Sequence, residues 1–354
     1  IVYDREKHLQ RFMLEHTDDV VSIAMHPDGI HFATGALGRF PTIIVWNSIT
    51  LTTVRRLEGF HRRAVTSLSF SKGDGIYLVS VGQDTEHSIA VHDWRNGNLI
   101  ASAQGESRKV LAVDFSPDNS TIVQCGVDHI QFWKRQGRNL MMRRGILGKK
   151  GRIQPLLCIG WAGPFAIVGT LDGHLYRFEG HMLRGSLKAH DKSVTGLYSC
   201  PDGLVSGGRD KRIRIWSPGL ECRHDFDFSK LQDARSLKGG IRAICWEPAA
   251  NTVVLGTRGG EIYEISSING ADLHGGPIVS AHCLSEVWGI SVHPKKPCIA
   301  TAGDDKTIRI WNYDTHEMVD ILKLDTPARA ICYSPDGLHI AIGLGGRVGR
   351  GRNK

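Results

Sequence analysis

The chain has 354 residues, 41% of them hydrophobic and 23% charged, a balance that excludes disordered and fibrous classes and leaves an ordinary globular protein. Its 41 glycines against 13 prolines point to many tight turns and so to β architecture. The net charge of +8 is local: residues 134–152 hold eight bases and no acid, residues 345–354 hold four more, and the rest is net acidic, which excludes a uniformly basic nucleic-acid binder.

The chain opens IVYDREKH, with no initiator Met and no signal peptide, and no apolar run reaches 18 residues. This reads as a soluble intracellular protein without membrane insertion, cut from a longer one. IVYD itself has the shape of a strand, with Tyr3 at its aromatic position. From Val20 onward a pattern repeats. Residues 20–47, 193–217 and 286–312 each show an alternating apolar run, a Pro-containing turn, a second run ending near Gly and a third ending in Trp. Period-2 runs with such punctuation are hairpin signals. The Trp-equivalent positions are Trp46, His92, Trp133, Phe178, Trp216, Ile265 and Trp311, spaced by 46, 41, 45, 38, 49 and 46 residues. That is the period of a four-stranded propeller blade. A further half-repeat, ARAICYSPDGLHIAIG, follows the last Trp, and no third strand ending in an aromatic comes after it before the Gly- and Arg-rich tail, where we expect mobility. The eight cysteines form no CxxC pair and sit in apolar runs such as AICW and AICY, so we expect buried free thiols in a reducing compartment and no zinc site.

The repeats resemble WD repeats, and the resemblance covers essentially the whole chain. It implies an all-β, WD-repeat β-propeller of four-stranded blades, in which a His, a Ser/Thr, an Asp and the Trp are hydrogen-bonded. The best matches are His190, Ser206, Asp210 and Trp216, and His282, Thr301, Asp305 and Trp311. The Asp accepts from the His ring and nearby N–H groups, and the hydroxyl links the ring to the indole, so that one blade's strands are fastened. The set is not a catalytic triad, because it recurs and degrades. His61, Ser80 and Asp84 remain with His92 in place of Trp, and residues 240–265 keep almost nothing. We expect no enzyme, no catalytic residues, no cofactor and no metal. GLGGRVG lacks a Walker Lys-Ser/Thr, and Asp18, Asp19, Asp304 and Asp305 read as turn residues.

More specific phrases come in a fixed order: HTDDVVSIAMHPDGIHFATG, VWNSITL, RAVTSLSFS, VHDW, VSGGRDKRIRIWS and SEVWGISVHPKKPCIATAGDDKTIRIW. In this order the chain resembles the echinoderm microtubule-associated protein-like family. The resemblance implies that IVYD ends a hydrophobic motif lying mostly upstream. It implies tandem propellers, the first over residues 1–273 and a second begun at 274–354, with SINGADLHGGP as a Gly-rich boundary. A single ring closed by the two half-repeats is the other arrangement. The resemblance also implies a non-enzymatic scaffold in the cytoplasm on the cytoskeleton, bound to tubulin or microtubules, including those of a cilium or axoneme. The rival class is a WD scaffold of another complex, such as a ubiquitin-ligase receptor or an RNA-processing particle, reached through the propeller surfaces. The segment most suited to an acidic partner carries Lys134, Arg135, Arg138, Arg143, Arg144, Lys149, Lys150 and Arg152. It has no interleaved aromatics, so nucleic acid is not the expected partner. A second cluster, Arg209, Lys211, Arg212 and Arg214, alternates with Ile213 and Ile215, and its charged heads should reach water from one strand face.

Overall fold

The computed structural model describes residues 2–4, 9–231, 240–282, 286–315 and 317–345. Ile1, Cys283 and the basic tail from 346 lie outside them. The described chain is a succession of antiparallel β-sheets with only two single 3₁₀ turns, at Gly148–Lys150 and Phe228–Lys230. It is an all-β WD-repeat propeller. We number its blades 1 to 7, over 20–57, 63–103, 110–144, 156–188, 194–227, 241–266 and 287–323. Alternation builds each one. In blade 5 the third strand, Arg212–Trp216, buries Ile213, Ile215 and Trp216 while the arginines stay half-exposed. Every Trp-equivalent position lies on a third strand, as in Ile43–Asn47, Ile89–Asp93 and Thr307–Asn312.

Blades 4, 5 and 7 are separate four-stranded sheets. Blades 1 to 3 are fused into one sheet. Leu37 and Gly38 of blade 1 pair with Ala64 and Arg63 of blade 2. The outer strand of blade 2 pairs in parallel with that of blade 3 at Ser102 and Asn139. Blade 6 has three regular strands. Its fourth is replaced by two isolated bridges, Ile262 to Val279 and Ile265 to Asp272. The intervening SINGADLHGGP stretch turns on itself, with Asn269 and Asp272 accepting from the N–H groups of Ala271 and His274. Val2–Asp4 pairs with Leu9–Arg11, and Ala328–Tyr333 pairs with Ile340–Leu344. These two half-repeats are separate sheets.

The core lies between blades, where facing strands bury aliphatic side chains such as Val65, Val79, Val91, Val123, Val168 and Ile213. Full burial of each contributes about 1.5–3 kcal/mol. First strands pack in succession from blade 1 to blade 6, and that of blade 7 packs on Ala328–Tyr333. Cys125 and Cys158 are buried thiols, whereas Cys222, Cys245 and Cys332 are exposed, against expectation. Cys222 is on an outer strand. Cys245 and Cys332 lie on the last first-strand of each succession, where one strand face stays open.

The blades meet closely enough to demand glycine. A Cβ on Gly35 would lie 2.7 Å from the Val65 Cβ, and one on Gly207 would lie 2.6 Å from the Ile241 Cγ2. Both glycines follow the buried hydroxyl residue of their second strand and face the next blade. Gly207→Ala should therefore cost about 1–3 kcal/mol through overpacking. Denaturant unfolding checks this, and an unchanged midpoint would show that the seam yields freely.

Candidate functional site

Blade 5 places His190 in the loop before its first strand, Ser206 on the second, Asp210 in the following turn and Trp216 on the third. His190 Nδ1 lies 3.0 and 3.1 Å from the two Asp210 oxygens, and its Nε2 lies 2.8 Å from Ser206 Oγ. Trp216 Nε1 donates to the same hydroxyl at 2.9 Å. One proton arrangement satisfies all of these: Nδ1–H donates to Asp210, and Ser206 accepts from the indole while donating to Nε2. Asp210 also accepts from the backbone N–H groups of Asp191 and Arg212. Burial pushes its carboxyl up, but the His190 bond and charge and those N–H groups hold it below the usual range.

Blade 7 repeats the geometry. His282 lies 3.0 Å from both Asp305 oxygens and 2.9 Å from Thr301 Oγ1, to which Trp311 donates at 2.8 Å. Arg309, fully buried, adds donors to Asp305 and to Ser280. Burial raises the Asp305 carboxyl. Bonds from His282 and Thr307 and the neighbouring charges outweigh it and hold the group at about 2.

Blade 1 carries a set that the repeat pattern had not singled out. His16 lies 2.7 Å from Thr34 Oγ1, and Trp46 donates to that oxygen at 2.7 Å. The available signal was the His of HTDD, in the same phase as His190. In blade 2, His61 reaches Ser80 at 2.7 Å, and Ser88 stands between its other nitrogen and Asp84. Burial drives His61 down to about 3, assisted by His92, which burial holds at about 4. These sets are buried fasteners within blades rather than groups converging on a cleft.

The eight bases of the 134–152 segment are all exposed. Lys134 and Arg135 end the third strand of blade 3, Arg138 lies in the turn, and Arg143 and Arg144 lie on the outer strand Asn139–Arg144. Lys149 and Lys150 form the 3₁₀ turn, and Arg152 follows it. Arg135 covers the Tyr77 ring at 4.9 Å, Arg144 pairs with Glu106 at 2.7 Å, and Lys150 donates to the Arg184 carbonyl. The strip follows the outer edge of blade 3 and crosses toward blade 4. Arg212 and Arg214 instead share Asp225 across the strand, at 2.8 and 3.0 Å.

Among the described residues one group has metal-ligand character, His26, Asp28 and His31. Its atoms are already engaged. His26 Nδ1 accepts from the Asp28 N–H, and Asp28 accepts from the N–H groups of Ile30 and His31. It fastens the HPDG turn.

Two outcomes follow. Asp210→Ala removes the acceptor of a buried ring N–H and should cost about 1–3 kcal/mol in chemical denaturation. His61 and His92 are more acidic folded than unfolded, so their contribution is intact above the unfolded value near 6.5 and is lost as pH falls toward their folded values. Thermal melts at pH 7 and pH 5 should show a drop that His92→Phe partly removes. An identical drop in the variant would exclude His92.

A family model described as "Echinoderm microtubule-associated protein first beta-propeller" matches residues 9–265, and one for "WD domain, G-beta repeat" matches 276–312. The chain is 31% identical over 362 residues to "Echinoderm microtubule-associated protein-like 2" of Homo sapiens, covering 97% of this chain and 54% of that protein. It is 29% identical over 367 residues to the "77 kDa echinoderm microtubule-associated protein" of Strongylocentrotus purpuratus, covering 97% and 51%. The chain thus spans about half the length of these relatives. A crystal structure of the computationally designed Ika8 protein aligns with a TM-score of 0.55 at 20% identity, over 94% of this chain and 98% of that one, a likeness of fold alone. By the family model that matches most of its length, the chain belongs to the echinoderm microtubule-associated protein family.

Proposed function

We propose that this chain is a non-enzymatic, cytoskeletal binding platform that docks on tubulin or on the microtubule surface through the 134–152 strip. The observation that carries the reading is the run of eight exposed bases without an acid along one blade edge, on a body otherwise net acidic. Such a strip complements an acidic polymer, and relatives named for microtubule association support that choice of partner. Cytoplasmic and axonemal microtubules would offer it the same kind of surface. The recurring His–hydroxyl–Asp sets, buried within blades, support a structural role for these residues over a catalytic one.

In this reading residues up to 273 are the blades of a first propeller, and 274–354 open a second. Three features support the division: the succession of first strands from blade 1 to blade 6, the irregular SINGADLHGGP stretch, and the two ranges matched by the family models.

Exposed charges act over about 8 Å at physiological salt, so the strip should contribute mainly to association and weaken as salt rises. Replacing Arg143, Arg144, Lys149 and Lys150 together by Ser should leave folding nearly unchanged, at about 0.5 kcal/mol or less per site. Co-sedimentation with microtubules at low and moderate salt should show weaker binding by the variant, most clearly at low salt. Equal binding of both forms at both salts would remove the strip from the mechanism.

A further inference from the structure

Between blades 3 and 4 lies a cleft of about 360 Å³, a size in the range of ligand sites. None of the eight bases of the 134–152 strip lines it. It opens at the end of the blades where first strands turn into second strands. The turn at 116–121 of blade 3 forms one side, and the turns of blade 4 at 163–164 and at Gly180 form the other.

The floor is apolar, made by the buried residues Phe132, Trp161 and Ala166. The Phe132 ring packs on Phe178 at 5.6 Å, and Trp161 Nε1 donates to Asp114 at 3.0 Å, so both rings are held. The 116–121 turn is clasped to blade 2. The Asn119 side chain donates to the Lys72 carbonyl at 2.8 Å and accepts from the Lys72 N–H at 2.7 Å. On the opposite side Gly163 and Gly180 have φ of +56° and +54°, and a Cβ on either would meet nothing within 4 Å. Their backbone favours glycine, and the mouth of the cleft stays open. Walls already in place spare a ligand the cost of ordering them.

Asp118 is the one charged residue that lines the cleft, and it is exposed. Its Oδ1 accepts from the Ser116 hydroxyl and from the Ser120 N–H at 3.1 Å. Bonds from Ser116 and Ser120 outweigh the effect of burial and hold the carboxyl below the usual range, so it is ionised at neutral pH. The cleft therefore joins an aromatic floor to a single negative charge. An ammonium would answer the charge but is compact and strongly hydrated. A guanidinium is weakly hydrated, lies flat on aromatic rings and forks to a carboxylate, and its methylene stem packs on apolar surface.

We propose that this cleft receives an arginine side chain from an extended segment of a partner protein, its stem over Phe132 and Trp161 and its guanidinium paired with Asp118. The site is opposite in sign to the basic strip and does not depend on it.

The test measures fluorescence anisotropy with the full chain and two labelled proline peptides, one with arginine at its centre and one with norleucine there. Proline keeps both extended before they bind. The unaltered chain should bind the arginine peptide about fivefold more tightly than the norleucine peptide. Asp118→Asn keeps an oxygen for Ser116 and Ser120. It should weaken the arginine peptide about fivefold and leave the norleucine peptide within about twofold. Asp336→Asn removes the same charge from the equivalent turn, where Ser334 and the Leu338 N–H hold the carboxylate, and should change neither peptide by more than about twofold. Melting curves confirm that both variants fold. Failure of the arginine peptide to bind, or equal weakening of it by both variants, would overturn the site. So would equal weakening of both peptides by Asp118→Asn. Equal binding of the two peptides by the unaltered chain would overturn arginine in favour of an apolar anchor. Self-association of the chain that Asp118→Asn abolishes would overturn an outside partner in favour of a second copy. The strip stands or falls separately, on salt-dependent microtubule binding.

Discussion

A hydroxyl held between an indole and an imidazole is the constraint from which the rest follows. Ser206 is fully buried, and its oxygen serves both Trp216 and His190. An indole is large enough to fill the space between blades, but its N–H must be satisfied wherever it goes. Once the hydroxyl answers the indole, the imidazole must answer the hydroxyl and the carboxylate must answer the imidazole. The chain of obligations ends at Asp210, in the turn, where the backbone N–H groups of Asp191 and Arg212 share the charge. One apolar demand therefore fixes four residue types and the positions of two loops.

The same logic accounts for the departures. Blade 2 gives up the Trp, and His92 takes its place with one nitrogen unpaired. It keeps Trp94 instead, whose N–H donates to the Gly75 carbonyl at 2.7 Å. Blade 7 goes the other way and recruits Arg309 and Thr307 around Asp305, so that the buried charge of the guanidinium is matched within the blade. A buried cation without such a partner would be costly.

Much of this was legible in the chain. The Trp spacing and the two-residue alternation of runs such as RIRIW specify blade count and strand order, because both arise from local periodicity. The hydrogen bonds of His190 and His282 follow from their phase relative to the strands. What was not legible depends on neighbours distant in sequence. The exposure of Cys245 and Cys332 turns on whether another blade covers their strand face, and alternation says only which face they occupy. The parallel pairing of Ser102 with Asn139 depends on how two outer edges converge.

That outer pairing has a mechanical consequence. The Ser102 N–H donates to the Arg138 carbonyl at 3.2 Å, so blades 2 and 3 are tied by backbone bonds at the rim as well as by side chains between them. Blade 4 is a separate sheet, yet Ile146, just past the outer strand of blade 3, bridges Met182 in parallel: its N–H donates to the His181 carbonyl at 2.8 Å and its carbonyl accepts from the Leu183 N–H at 2.9 Å, beside packing around Phe132 and Phe178. Under a load that spreads the ring, hydrogen-bonded edges resist shear along the strands, whereas packed faces part by simple peeling. The 137–139 turn and Ile146 thus lace the outer edges of blades 2, 3 and 4 together, so these three blades resist separation at the rim as one stiff unit.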